Sequence, residues 1–514
     1  MEGSVQVLKF GGTSVGSGER IRRVASIIGY HVRDSAGMFP VVVVSAMSGV
    51  TDQLLRIARF ACTGEHESCQ QELDALKQKH LEAADKAVHK REGRQALQHD
   101  LQVAFTMLEQ DISAVEAGRS TTTREPTGES HITAWALHAT PTIGAWGERF
   151  SVLLVAAAAR DVGVLAVPVR EEVIITSDLQ FDTLPAFGTV VGADHLPLET
   201  RVNVARLISP LIERGVVPVA PGFIGRTVRG FVTTLGRNGS DYSATVIGEA
   251  LDCAEVTIYT DVDGVLSADP RVVANTRLLP RLTYAEAARL SWFGAKVLHP
   301  RTLIPVAHRN IPVRVRNTFR PHTRGTVVGP ELATRSAAAA ITVRRQLALI
   351  TVENSDLFGA PENAGQVFEL AARAGAAPVA ICSSSGHHLA FVVEEQAVDP
   401  VVALLQHDMG SWRVSHRRGL AACACIGSGF TADPMSPARA ITALARERIP
   451  VITQGASDTG IILIVEESDS ERALRCLHRD LIAPVIPLVR HEVHERGREA
   501  SSEERNLYGG TRRS

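Results

Sequence analysis

No stretch of the 514 residues approaches the roughly 18 to 20 consecutive apolar side chains that a bilayer-spanning helix needs, so the expectation is a protein without membrane contact. Excess charge of either sign is also missing. With 54 Lys and Arg against 56 Asp and Glu, net charge −2, no global field points to nucleic acid or an anionic surface as partner. The first residues hold no basic segment leading into an apolar core, and the expected location is cytoplasmic. Cysteine is sparse: Cys62, Cys69, Cys253, Cys382, Cys423, Cys425 and Cys476 are odd in number and scattered among apolar neighbours, as reduced core thiols are. Cys423 and Cys425 share a strand face, but no second Cys or His pair stands at zinc spacing, and the adjacent His387 and His388 point to opposite faces. No protein-held metal site is expected. A Walker loop, whose lysine follows its glycines, is absent too.

What is present is a chain with 45% apolar and only 21% charged residues, enough to bury a large core and divide into two or more domains. It is organised around residues 5–15, VQVLKFGGTSV, an apolar run ending in Lys9, Gly11 and Gly12. Such a run reads as a buried strand opening into a glycine loop, and in open α/β sheets the ligand sits at that end of the strand. Glycines let backbone N–H groups approach phosphate oxygens, and Lys9 can bring a full positive charge to a phosphoryl group.

Alternation of strand and helix continues along the chain. Ile21, Val24, Ile27 and Ile28 recur at helical spacing, and Val41 to Val44 form a strand covered on both faces. Residues 62–117 read as a helical excursion interrupted near Gly93, and residues 119–129 as a polar loop. A helix over 145–160 follows, then strands at 164–169, 216–219, 256–259 and 313–315, with helices at 243–251 and 284–293. The expected result is a three-layer α/β domain over 1–330 with a mostly parallel sheet. Beyond the low-complexity linker 334–340, two segments each run strand, helix, strand, strand, helix, a tandem repeat over 341–410 and 418–490. The charged, apolar-poor tail 491–514 is expected to be disordered.

Five loops at strand ends or helix starts of the first domain carry small, hydroxyl or charged residues that such a sheet gathers into one crevice. Arg237, in the loop 233–242, offers a planar fork matched to a carboxylate, and Glu148, at a helix start, can receive an ammonium. That pairing would hold an amino acid.

The segments KFGGTSV at 9–15, GER at 147–149, TLGRNGSDYSA at 234–244, TDVDGV at 260–265, DPR at 269–271 and FGAKVLHPR at 293–301 closely resemble those of aspartate kinases, in the same order. The tandem units resemble the paired ACT domains of those enzymes, giving an amino-acid-kinase-like α/β domain plus two α+β, ferredoxin-like regulatory units. The resemblance implies that Lys9, Gly11 and Gly12 hold the transferred phosphoryl group with Asp241 orienting the lysine. It implies that Ser45, Thr51, Glu148, Arg237 and Ser240 bind L-aspartate, and that Thr260, Asp261, Arg271 and Lys296 join Lys9 in binding ATP. The reaction implied is attack of the aspartate β-carboxylate on the γ-phosphate of ATP, with Mg²⁺ carried mainly on the phosphates. Two departures stand out: Leu266 where an aromatic residue is common, and a Thr-rich insertion at 119–131.

Paired ACT-like units commonly bind an amino acid, so feedback inhibition by lysine or threonine and assembly into a homodimer or larger oligomer are expected. The candidate effector residues are 358–366, 383–385 and 454–457. The segment GSGFTA at 427–432 follows a strand, but it lies inside the second repeat and too few residues follow it to build a dinucleotide domain. The competing readings are a kinase of the same fold for another amino acid such as glutamate, and a non-catalytic amino-acid sensor; a sensor would be expected to lose one of Lys9, Glu148, Arg237, Asp241 or Lys296, and all five are present.

Overall fold

The computed structural model describes residues 4–34, 37–120, 134–170, 173–177, 193–236, 238–295, 298–330, 339–354, 362–385, 388–410, 412–428 and 433–482. The tail and most of the Thr-rich insertion lie outside the described residues.

The opening apolar run is the strand Val5–Phe10, fourth in an eight-stranded sheet ordered Ala166–Pro168, Val217–Pro221, Phe39–Val44, Val5–Phe10, Glu255–Thr260, Val313–Asn317, Thr326–Gly329, Arg281–Thr283. The first six strands are parallel; Thr326–Gly329 turns back antiparallel and pairs in parallel with Arg281–Thr283. Side chains alternate across the sheet with the period of two that a pleated strand imposes. Leu8, Phe10, Val42 and Val44 pack with Ile21, Val24 and Ile28 of helix Gly18–Asp34 on one face. Val7, Val41 and Val43 pack with Val246 and Ile247 of helix Gly239–Leu251 on the other. Valines 41 to 44 are fully buried, which is why their run shows no polar alternation.

The helical excursion is real but differently divided: Val50–Thr63, His66–Ala87 and Arg91–Ser120. Its break falls at residues 88–90, where the buried, β-branched Val88 is extended, and Gly93 is accommodated within the first turn of the next helix. Phe105 stacks on Phe150 at 4.3 Å between centroids, with His80 and Trp146 around it, tying the excursion to helix Trp146–Asp161. Helix Ala134–Gly144 had no counterpart in the sequence reading, and helix Gly239–Leu251 begins four residues before the expected start at 243.

The two repeated segments each fold as strand, helix, strand, strand, helix, but they share one six-stranded antiparallel sheet ordered Ala380–Ser385, His388–Glu394, Ala340–Asn354, Trp412–Ile426, Gly460–Glu466, Thr453–Ser457. Its two 15-residue central strands pair from Ala340 opposite Ile426 to Asn354 opposite Trp412. Cys423, Cys425 and Cys476 lie in one core cluster beside that sheet, and burial pushes the Cys423 thiol up to about 12. Helix Tyr284–Trp292 of the first domain meets this sheet. The buried Glu286 accepts the Ser428 N–H at 2.7 Å through Oε1 and the Thr283 N–H at 2.8 Å through Oε2, and Arg289 donates to Ser457 and Thr459.

Candidate active site

At the carboxyl edge of the large sheet, cross-strand hydrogen bonds set three loop starts side by side. The Gly11 N–H donates to the Tyr259 carbonyl, the Ser45 N–H to that of Phe10, and the Gly222 N–H to that of Val44, at 3.3, 3.1 and 2.8 Å. They open onto a cleft of about 360 Å³ that gathers Lys9, Gly12, Ser45, Thr51, Glu148, Ser240 and Asp241 from four separate segments. Ser48, Gly49, Asp52, Phe223 and Asn238 also line it, and sequence reasoning had not singled them out.

Lys9 is 7% exposed, and its Nζ is ion-paired with Asp241 in the first turn of helix Gly239–Leu251. Asn238 just before that helix and Phe223 opposite both adopt left-handed backbone, φ 58° and 64°, which Asn takes readily but a bulky Phe holds only where the surroundings enforce it. Gly12 could not be replaced freely, since a Cβ there would stand 2.9 Å from the Ala46 carbonyl oxygen.

Three helices, Val50–Thr63, Trp146–Asp161 and Gly239–Leu251, begin at this cleft, and none has a side-chain cap on its first N–H groups. Uncapped helix starts carry partial positive charge, so the cleft suits an anion. Against that background Glu148 is the exception. It is 2% exposed, its Oε1 accepts the Ala46 N–H at 3.0 Å, and its Oε2 is buried with no partner among the described residues. Burial pushes its carboxyl up to about 8, opposed by the Ala46 N–H and its own. Gly147 makes this seat possible, because a Cβ there would come within 2.7 Å of the Ala46 Cβ.

The remaining anticipated residues sit elsewhere. Thr260 and Asp261 follow Tyr259 at the same sheet edge but do not line this cleft; the Asp261 carbonyl accepts from Asn317 Nδ2 at 3.2 Å, and Thr260 Oγ1 donates to Asp261 Oδ1. Arg271 lies on the loop beyond, its side chain 85% exposed and paired with Asp269 at 2.7 Å. Leu266 forms a bridge with Leu278 in that loop. Arg237 and Lys296 lie outside the described residues.

Fold and cleft together define the class: a doubly covered, mostly parallel α/β sheet with an anion-receptive pocket at the carboxyl ends of its strands. The model of the amino acid kinase family matches residues 4–317, and the chain belongs to that family. An ACT domain model matches residues 424–481. The chloroplastic bifunctional aspartokinase/homoserine dehydrogenase 2 of Arabidopsis thaliana is 34% identical over 494 residues, covering 92% of this chain and 50% of that protein, so the chain spans about half the length of this relative. Chloroplastic aspartokinase 1 of the same plant is 29% identical, with 93% of this chain and 80% of that protein covered. Among solved structures, E. coli aspartokinase III in complex with aspartate and ADP superposes with a TM-score of 0.72 at 26% identity, covering 93% of this chain and 99% of that one. No described helix is long and apolar enough to cross a membrane.

Proposed function

We propose that this chain is an aspartate kinase that transfers the γ-phosphoryl group of ATP to the β-carboxylate of L-aspartate, giving 4-phospho-L-aspartate and ADP, the first step toward lysine, threonine and methionine. The observation that carries this reading is the juxtaposition, in one cleft flanked by helix starts, of a paired lysine and a buried carboxyl group with an oxygen unpartnered among the described residues. Aspartate supplies what is missing on both sides. Its ammonium meets Glu148, its α-carboxylate meets Arg237, and Ser45, Thr51 and Ser240 take its remaining polar atoms. The solved structure of E. coli aspartokinase III with aspartate and ADP accords with this pairing of ligands.

A carboxylate is already nucleophilic at neutral pH, so no general base is required. One β-carboxylate oxygen forms the new bond to γ-phosphorus while the bond to the β,γ-bridging oxygen breaks, and that electron pair leaves on ADP. Lys9, held by Asp241 and flanked by Gly11 and Gly12, cancels charge on the moving phosphoryl group. Thr260, Asp261, Arg271 and Lys296 hold the nucleotide. A Mg²⁺ carried on the nucleotide phosphates would find Asp241 as a carboxylate lining the cleft. Bound there, Mg²⁺ supplies charge neutralisation on the phosphates. All seven cysteines are free and six are buried, in keeping with a reducing cytoplasmic setting.

ATP-dependent hydroxamate formation measured with aspartate, with glutamate and with no acceptor tests the assignment. Product with aspartate alone is expected; product with glutamate makes this a different amino-acid kinase, and none with either makes it a sensor. Arg237→Ala should raise the aspartate KM by ~10-fold or more with a smaller change in kcat.

Domain limits of 1–330, 341–410 and 418–490 form part of the same reading, with the two later units regulatory and mediating assembly into a homodimer or larger oligomer. E. coli aspartokinase III has been solved with lysine and aspartate in a T-state. Lysine or threonine bound near 454–457 would act on helix Tyr284–Trp292 through the Arg289 and Glu286 contacts. One of the two should lower activity and shift the melting temperature; if neither does, the regulatory role fails.

A further inference from the structure

A second cavity lies on the far flank of the catalytic sheet, away from the cleft. It holds about 180 Å³ between helix Pro197–Leu207 and the C-terminal half of helix Gly239–Leu251, lined by His195, Thr200, Arg201, Val246, Glu249 and Arg309. Its charges face a common space without satisfying one another. Neither guanidinium forms an ion pair with Glu249 within 4 Å; Arg201 reaches the Glu249 carbonyl at 3.4 Å. His195 Nε2 is buried without a hydrogen bond among the described residues, 3.9 Å from Glu249 Oε2. Burial raises the Glu249 carboxyl, and Arg309, Arg201 and His308 oppose that rise. A pair of cations, an acid and an imidazole left apart around a void of this size are complementary to a molecule that carries both signs.

The geometry points to a small-molecule site here for an amino-acid-sized zwitterion, its carboxylate on Arg201 and Arg309 and its ammonium on Glu249 and His195 Nε2. The tautomer required is available. With Nε2 accepting, Nδ1 carries the hydrogen and donates to the Tyr242 hydroxyl, 2.6 Å away. Tyr242 belongs to the helix turn whose Ser240 and Asp241 line the catalytic cleft, and its ring lies 4.6 Å beneath the Arg301 guanidinium. Arg301 in turn donates to the Leu235 carbonyl at 3.1 Å, one residue before the cleft-lining Gly236. An occupant bonded to His195 therefore bears on Tyr242 through one hydrogen bond and, through the stacked Arg301, on Leu235. Binding itself stands independently of the reaction assigned to the cleft.

Calorimetric titration of the full chain with each standard amino acid, succinate and inorganic phosphate tests the site, with Glu148→Gln as the background in which binding at the catalytic cleft is weakened. At least one amino acid should bind wild type and Glu148→Gln alike and lose ~10-fold or more in affinity in both Arg309→Gln and Glu249→Gln. Arg201→Gln serves in place of Arg309→Gln should that variant not fold. Succinate or phosphate binding that depends on Arg309 but not on Glu249 overturns the zwitterion assignment in favour of a plain anion pocket. If no titrant's affinity responds to these substitutions, the site is refuted.

Discussion

Lys9→Ala is expected to lower kcat by about a thousandfold or more, roughly 4 kcal/mol of transition-state stabilisation, with a much smaller effect on the aspartate KM. The argument rests on where the ammonium is held. It projects from near the end of a buried central strand, 7% exposed, against a carboxylate anchored on a helix start, so its position is set before substrate arrives. Charge that develops on the transferred group then meets a cation that needs no reorganisation. Removing it also strands Asp241 in a confined site, which adds a structural cost; the double variant Lys9→Ala/Asp241→Asn separates the two effects. It should recover thermal stability relative to Lys9→Ala without recovering turnover. Lys9→Arg should not restore turnover, because a planar guanidinium on a longer stem does not reproduce the compact ammonium held against Asp241. Turnover within tenfold of wild type in Lys9→Ala, measured by coupled ADP release with folded protein, would sink the assigned role.

Much of this cleft was readable because its parts are local. VQVLKF followed by two glycines, and four valines followed by Ser45, announce buried strands and their loops without any tertiary information. Boundaries were less legible where polar chemistry serves a helix start. Asn238, Ser240 and Asp241 read as a loop, yet Asn238 immediately precedes helix Gly239–Leu251 and Ser240 and Asp241 form its first turn, which is how Asp241 comes to face Lys9. The interruption expected near Gly93 falls a few residues earlier, at 88–90, where the buried Val88 is extended and Gly93 lies within the first turn of the next helix. The 15-residue length of the central strands of the smaller sheet was not legible, since Arg344, Arg345 and Gln346 in one and Arg413, His416 and Arg417 in the other show no apolar strand pattern until the strands pair with each other. Phe223 and Ser48 lie in strand-end loops, but nothing in the sequence singled out those side chains: Phe223 is placed by a left-handed backbone, Ser48 by the fold of its loop against the cleft. Nor could any spacing have shown that one oxygen of Glu148 would be left without a partner among the described residues.

That oxygen leads to the second large effect, a pH dependence that one substitution should erase. Glu148 is protonated at neutral pH in the empty cleft, because burial lifts its carboxyl to about 8. An ammonium brought against it favours the ionised form, so productive binding requires the proton to leave. The kcat/KM for aspartate should therefore climb with pH, close to tenfold per unit well below 8, and level off above it, while kcat at saturating aspartate should show its limb displaced to lower pH. Stability follows the same sign. A folded value above the unfolded 4.5 means that the contribution of this group is fully present below 4.5 and is lost as pH rises through 8; aspartate opposes that loss, and the melting-temperature gain it confers should grow between about pH 6 and 8. Glu148→Gln keeps the shape and the Ala46 contact but cannot ionise, so its kcat/KM should be flat across this range and ~10- to 100-fold below the wild-type plateau, the cost of one charge-assisted contact. A Glu148→Gln profile that runs parallel to the wild type would show that the titrating group lies elsewhere and that the ammonium is held by other atoms.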